Sequence, residues 1–177
     1  SKSGAVIFSD ENDEYNYLYW GDKDINCWKT KDLKSKEKYE DCGVLLKTRS
    51  DNLDSELVES GPAPIKLSNG DYLFIYNSAR KGVPSWLKDW DLEYNIFYAI
   101  IDGKDKTKIK YRSNTPIIKP ELSFEKDSRL LLKPNVVFAE GAKKMDNSDD
   151  IIIFYGCGDT YVGAAYFELN DSKLLLK

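Results

Sequence analysis

The feature that most constrains the fold is a succession of strand-forming segments that occurs three times along the 177 residues. Each round has a short apolar segment, a turn rich in Asp, Asn and Gly, a nearly continuous apolar segment, and two further segments. β-Branched and aromatic runs bounded by such turns predict strands, and no helical periodicity extends beyond two turns. The first two segments of the rounds are Ala5–Phe8 with Tyr15–Trp20, Ala63–Leu67 with Tyr72–Tyr76, and Pro134–Phe138 with Ile151–Gly156.

Four antiparallel strands repeated every several tens of residues are typical of the blades of a β-propeller. We therefore predict an all-β fold, a partial β-propeller of three four-stranded antiparallel blades in one domain, over about 1–50, 60–115 and 130–177. The alternative is a β-sandwich of about twelve strands, which the recurrence of the same strand order and tight first turn disfavours. The third blade is predicted to end with a strand at Lys173–Leu176.

Closed propellers have about four to eight blades, so three blades leave two apolar flanks uncovered. We expect additional N-terminal sequence, a companion chain or a second copy of the chain to complete the ring.

Charge and composition exclude several functions. The chain has 26 Lys and Arg against 30 Asp and Glu, without a basic stripe, so we predict no nucleic-acid partner. No apolar run approaches the ~20 residues of a membrane span, so we predict no membrane partner. Histidine is absent, which excludes Ser/His/Asp and Cys/His catalysis and His-ligated zinc. We predict no cofactor and no metal.

The three cysteines do not form a CxxC motif. Cys27 and Cys42 fall beside predicted strands of one blade, which leaves open a disulfide in an oxidising compartment. Cys157 is expected to be a small buried apolar side chain rather than a nucleophile.

Several stretches resemble glycoside hydrolase family 130, the β-mannoside phosphorylases and mannosidases. Gly61–Lys66 and Asn69–Tyr76 resemble the family's blade opening, while Pro134–Gly141 and Phe154–Thr160 resemble two later motifs in the same order. The resemblance covers nearly the whole chain and implies the three C-terminal blades of a five-bladed propeller.

This resemblance implies a mannoside-like sugar in the central funnel, and phosphate or another anion as a second ligand. Lys66 matches the lysine of the anion pocket, Asp159 an aspartate near the sugar, and Glu125 a glutamate before the third inner strand. The family's proton-donating aspartate is expected in blades outside this chain, so the catalytic residue is unknown.

The sequence also departs from the family pattern. Asn77 stands where the family has a phosphate-binding histidine, Ala63 replaces a proline, and Tyr19–Gly21 lacks an expected arginine. Phosphorolysis by this polypeptide is therefore not expected, although Asn77 remains a candidate ligand residue.

Two of the candidates have a structural alternative. Lys66, at the end of a strand that we expect to be buried, must meet an anion, and a Lys–Asp or Lys–Glu pair would satisfy it. Asp159, in a Gly-rich turn, either contacts a ligand or caps its own turn.

The long loop of the second blade carries Arg80, Trp86 and Trp90. Aromatic faces stack on sugar rings, so these residues are candidates for substrate binding. The alternative is a hydrophobic cluster that pins the loop to its own blade. Glu56 and Glu59 precede the second inner strand, and we rank them below Asp159 as funnel residues.

Three functions follow from these observations. The first is a carbohydrate-binding or carbohydrate-processing propeller of the family 130 type, in which catalysis itself is left uncertain. The second is a non-catalytic lectin or assembly module, and the third is a protein-interaction propeller that uses the loop around Trp86 and Trp90.

Overall fold

The computed structural model describes residues 3–35, 38–126 and 128–169, which form twelve strands in three antiparallel sheets. These residues contain no helix, and hence none that is long and apolar enough to cross a membrane. The first sheet contains β1 (Gly4–Ile7), β2 (Asn16–Trp20), β3 (Ile25–Thr30) and β4 (Glu40–Leu46), in that order.

The middle sheet contains β5 (Leu57–Ser60), β6 (Ile65–Lys66), β7 (Tyr72–Arg80), β8 (Glu93–Ile101) and β9 (Ile109–Arg112). Both β5 and β6 pair with β7, so this sheet has five strands where we predicted four. Of the predicted first strand Ala63–Leu67, only Ile65–Lys66 forms a strand, and Leu57–Ser60 is an additional strand that was not predicted. Pro62 and Pro64 separate the two strands because proline cannot donate a backbone hydrogen bond. Gly61 lies at the break, where a Cβ would come within 2.8 Å of the Ile75 carbonyl oxygen.

The third sheet contains β10 (Val137–Lys144), β11 (Ile151–Cys157) and β12 (Tyr161–Phe167), in that order. The predicted fourth strand at Lys173–Leu176 lies outside the described residues. The all-β prediction is confirmed, with sheets of four, five and three described strands.

Alternating side chains of the middle sheet supply two hydrophobic cores. On β7, Tyr72, Phe74 and Tyr76 pack against the first sheet, whereas Leu73 and Ile75 pack against the third. Because successive side chains of a strand point to opposite faces, a continuous apolar run here fills two interfaces at once. The middle sheet is therefore buried on both faces between its two neighbours.

A buried ion cluster joins the first and middle sheets beside the first core. Asp54, fully buried in the connection between the sheets, accepts hydrogen bonds from Arg49 Nε at 3.0 Å and Arg112 Nη2 at 2.6 Å. The hydroxyl of Tyr76 donates to the same carboxylate at 3.1 Å. Such paired and hydrogen-bonded charges are the arrangement that a buried carboxylate requires.

The cysteines are all free thiols. Cys27 and Cys157 are buried in the first and second cores, as expected for Cys157. Burial raises the pKa of Cys157 to about 11, which keeps it protonated near neutral pH.

Candidate functional site

The leading strands of all three sheets border one central cavity of about 710 Å³. Gly4 comes from β1, Glu59 and Ser60 from β5, and Phe138 and Glu140 from β10. Each of these strands is the edge strand of its sheet, and the edges face one another across the cavity. The volume falls within the range of small-molecule sites.

An aromatic wall closes one side of this cavity. The rings of Trp90 and Tyr94 are nearly parallel, with centroids 6.2 Å apart, and Tyr94 in turn contacts Phe138. The Trp90 indole Nε1 donates a hydrogen bond to the Pro134 carbonyl at 2.9 Å, and the Lys133 ammonium lies 4.3 Å from the Trp90 ring centre. These contacts hold the Trp90 ring in place within the fold.

Three carboxylates line the same cavity, those of Glu59, Glu140 and Asp159. Glu59 is only 7% exposed and accepts a hydrogen bond from the Ser3 hydroxyl at 3.3 Å, whereas the other two are exposed. Burial, followed by the negative charges of Glu59 and Asp159, raises the pKa of Tyr94 to about 12. The Tyr94 hydroxyl therefore stays protonated near neutral pH.

Asp159 is presented by a tight turn between β11 and β12. Its φ of 52° and that of Gly158, 59°, place both residues in the left-handed region, which Asp tolerates better than most residues. Asp159 also borders an adjoining cavity of about 530 Å³ that contains Phe154 and Tyr161 on the uncovered side of the third sheet. Asp159 therefore belongs to the lining of both cavities.

Lys66 lies in a different place, in a cavity of about 730 Å³ formed with Asp10 and Asp71. The expectation that it is buried is wrong, since its side chain is 55% exposed. Its ammonium lies 3.3 Å from the Asp10 carboxylate, and that hydrogen bond raises the pKa of Lys66. In the described residues, Lys66 therefore forms the Lys–Asp pair that we considered as the structural alternative to a ligand role.

Asn77 is fully buried between the middle and third sheets. Its amide accepts a hydrogen bond from the Ala139 N–H at 2.7 Å and donates one to the Ala139 carbonyl at 3.2 Å. Both ends of the side chain therefore bind the backbone of β10.

Glu125 is also enclosed. Its carboxylate accepts hydrogen bonds from the backbone N–H groups of Glu121 and Leu122, each at 2.9 Å, and from the Tyr155 hydroxyl at 2.8 Å. These contacts cap a turn beside β11, away from the central cavity. Its predicted ligand role remains a prediction.

The three candidates predicted for the long loop of the second blade lie apart, and Arg80 is the last residue of β7 rather than a loop residue. Arg80 pairs with Glu93 at 2.9 Å, and the Trp86 indole donates to the Ser128 carbonyl at 2.9 Å. Only Trp90 reaches the central cavity. Both tryptophans donate hydrogen bonds to the segment before the third sheet, and Trp90 also stacks on Tyr94 of β8 in the loop's own sheet.

Of the seven predicted ligand residues, the cavity brings together Asp159 and Trp90. Sequence reasoning did not identify Glu140, Tyr94 or Lys133, and it ranked Glu59 low. The only signal for Glu59 was its position shortly before the second inner strand. Glu56, by contrast, turns away and pairs with Lys81 at 2.7 Å.

Comparison with known proteins gives the family. A family model for glycoside hydrolase family 130, described as beta-1,4-mannooligosaccharide phosphorylase, matches residues 3–174. The chain belongs to glycoside hydrolase family 130. This confirms the resemblance drawn from the motifs and supports a carbohydrate-active protein.

Individual relatives agree with the family model. A 1,2-beta-oligomannan phosphorylase of Thermoanaerobacter sp. (strain X514) is 33% identical over 170 residues, which are 96% of this chain and 51% of that protein. A beta-1,2-mannobiose phosphorylase of Listeria innocua is 29% identical over 85% of this chain and 38% of its own length.

The fold also has a solved counterpart. The structure of the beta-1,2-mannobiose phosphorylase from Listeria innocua in complex with beta-1,2-mannobiose matches with a TM-score of 0.72 and 26% identity. The match covers 98% of this chain and 45% of that one. The chain therefore spans about half, or less, of the length of the relatives that it matches.

Proposed function

We propose that the central cavity binds a mannoside-like sugar and that this chain supplies the sugar-binding part of a family 130 protein. The observation that carries the proposal is the meeting of Asp159 and Trp90 in one cavity bordered by all three sheets. Carboxylates accept hydrogen bonds from sugar hydroxyls, and flat aromatic faces cover the apolar faces of sugar rings. Relatives named as mannobiose and oligomannan phosphorylases support the choice of sugar.

We also propose that the three sheets are blades of a partial β-propeller of the five-bladed type, with the cavity at its centre. The convergence of three leading strands on one hollow supports this arrangement. Both outer sheets leave large apolar side chains uncovered, among them Val44 on β4 and Phe154, Val162 and Tyr166 on the third sheet. Further sheets, from a companion segment or a second copy, would cover these faces and close the ring.

Within this proposal the chain contributes binding, and the proton donor comes from the sheets that complete the ring. Two candidates for an anion site, Lys66 and Asn77, already hold partners outside the central cavity. This supports a role in holding the sugar rather than phosphate.

The direct test is calorimetric titration of the chain with β-1,2-mannobiose. We expect saturable binding that weakens about tenfold or more in Asp159→Ala, because one charge-assisted hydrogen bond contributes about 1.5–3 kcal/mol. Trp90→Ala should weaken binding similarly. Asp51→Ala, in an exposed loop after the first sheet, is the matched control and should bind like the parent. Equal affinity of the parent and Asp159→Ala would contradict the proposal.

The second function is a non-catalytic lectin or assembly module. The amide of Asn77, fastened to Ala139 in place of the family's histidine, favours it. Native mass spectrometry separates the two: a companion chain of about two blades supports a split enzyme, whereas a homo-oligomer supports the lectin or scaffold.

A further inference from the structure

On the basis of the proposed sugar-binding role of the central cavity, we infer that Glu140 is one of its ligand-binding residues and that the buried amide of Asn77 positions it. Glu140 contacts a sugar hydroxyl through its carboxylate. Asn77 does not touch the ligand and acts through the backbone that carries Glu140.

Glu140 is the extra residue of a β-bulge in β10. Ala139 faces Tyr155 of β11, and Gly141 faces the residue just before Tyr155, which leaves Glu140 without a partner across the pair. Ala139 and Ala142 both pack on the second core although they are three residues apart, a spacing that a regular strand would place on opposite faces. The bulge therefore removes Glu140 from the alternation, and bulges are a common means of re-aiming a side chain beside a site.

The Glu140 side chain is placed where a ligand could reach it. Glu140 shares with Asp159 the lining of both the central cavity and the adjoining cavity. It is exposed, and within residues 3–35, 38–126 and 128–169 its carboxylate has no hydrogen-bond or ion-pair partner. Carboxylate oxygens are strong acceptors for hydroxyl donors, so Glu140 can accept a hydrogen bond from a sugar.

Asn77 fixes the backbone next to the bulge. Its fully buried amide accepts a hydrogen bond from the Ala139 N–H at 2.7 Å and donates one to the Ala139 carbonyl at 3.2 Å. That carbonyl belongs to the peptide unit that joins Ala139 to Glu140, so the second hydrogen bond sets the orientation of this peptide plane. Because a bulged residue has no residue opposite it, the amide of Asn77 supplies a restraint that strand pairing does not.

The simpler role for Asn77 is structural, as a side chain that satisfies buried backbone groups between two sheets. The two roles predict different results for the folded protein. A structural role alone lowers stability and leaves the sugar affinity of the folded chain unchanged. A positioning role also lowers the affinity, and only while the Glu140 carboxylate is present.

Calorimetric titration of the chain with β-1,2-mannobiose tests Glu140 first. Glu140→Gln keeps the size of the side chain and removes its charge, so binding should weaken about tenfold, because hydrogen bonds to charged acceptors are the stronger ones. Asp146→Asn, in the exposed turn of the same β10–β11 hairpin, is the matched control and should bind like the parent. Parental affinity in Glu140→Gln would overturn the assignment.

A double-mutant cycle tests Asn77, at a temperature at which every variant is folded. Asn77→Ala should weaken binding about fivefold or more in the parent, and less than about twofold in Glu140→Gln, because its effect passes through the missing carboxylate. Ile101→Val, which also lowers stability but lies in the first core, should leave the affinity unchanged. Equal losses in the two backgrounds, or no loss in either, would overturn the positioning role.

The outcomes separate this inference from the proposed function. If the parent binds mannobiose and Glu140→Gln binds it equally well, the inference fails and the proposed function stands. If the folded parent binds no mannobiose, both fail. Should Asn77→Ala not fold, Asn77→Asp takes its place in the cycle with the same expected coupling, because an ionised Asp accepts from the Ala139 N–H but cannot donate to its carbonyl.

Discussion

The middle and third sheets are built from similar residues but differ in what surrounds them. On β7 of the middle sheet, every residue from Tyr72 to Ala79 is buried, because a sheet packs on each face. On β12 of the third sheet, apolar side chains alternate between a covered face and an open one, where Val162 is 81% exposed. Apolar sequence alone therefore does not determine burial in this fold; the number of neighbouring sheets does.

The largest expected effect compares one phenylalanine from each sheet. Phe74→Ala, in the fully buried middle sheet, should lower the free energy of unfolding by about 3–5 kcal/mol, because it leaves a cavity in the first core. Phe154→Ala, on the open face of the third sheet, should cost less than about 1 kcal/mol. Urea unfolding of both variants measures the difference. An equal loss of unfolding free energy in both variants would show that the open face is covered in solution.

A smaller effect is expected at the contact between these two sheets. Asn77→Ala should lower the free energy of unfolding by about 1–3 kcal/mol, because the buried N–H and carbonyl of Ala139 both lose their partner. Asn12→Ala, in an exposed turn of the first sheet, is the control and should be nearly neutral. Thermal and urea unfolding check the prediction, which an unchanged Asn77→Ala variant would contradict.

The smallest effect concerns the first sheet and its contact with the middle sheet. Burial would raise the pKa of Asp13, but hydrogen bonds from the Lys106 ammonium, at 2.6 Å, and the Tyr15 N–H lower it below 3.8. A carboxyl whose pKa is lowered by folding stabilises the protein above its unfolded pKa, and this contribution is lost as the pH falls through the folded value.

Asp13→Asn should therefore remove part of the loss of stability that is expected below about pH 4, by less than about 1 kcal/mol. Stability measured from pH 7 to pH 2.5 tests this. Asp51→Asn is the control, and a parental acid profile in Asp13→Asn would contradict the assignment.

The sequence predicted the strands well where apolar runs were continuous. Tyr72–Tyr76 and Ile151–Gly156 are strands because their runs are long and flanked by Asn- and Asp-rich turns. It failed at Leu57–Ser60, where a strand of four residues ends in Glu and Ser and lacks a clear pattern. Pairing with β7 stabilises that segment, and a contact between separate segments cannot be predicted from the local sequence.

The site was harder to predict than the fold. Asp159 could be found mainly because it matches the family motif, in a Gly-rich turn after a buried strand, and Trp90 because it lies in a long loop. Glu59 was ranked below Asp159 as a funnel residue, because nothing in the local sequence indicates that it is buried. Asn77 resembled a ligand residue, yet the approach of β10 engages its whole amide.

All three sheets contribute residues to the lining of the central cavity. A molecule bound there would contact all three sheets and add a further link between them. Ligand binding would then stabilise the fold. For a ligand that binds only the folded chain, the free energy of unfolding would rise by about RT ln(1 + [L]/Kd).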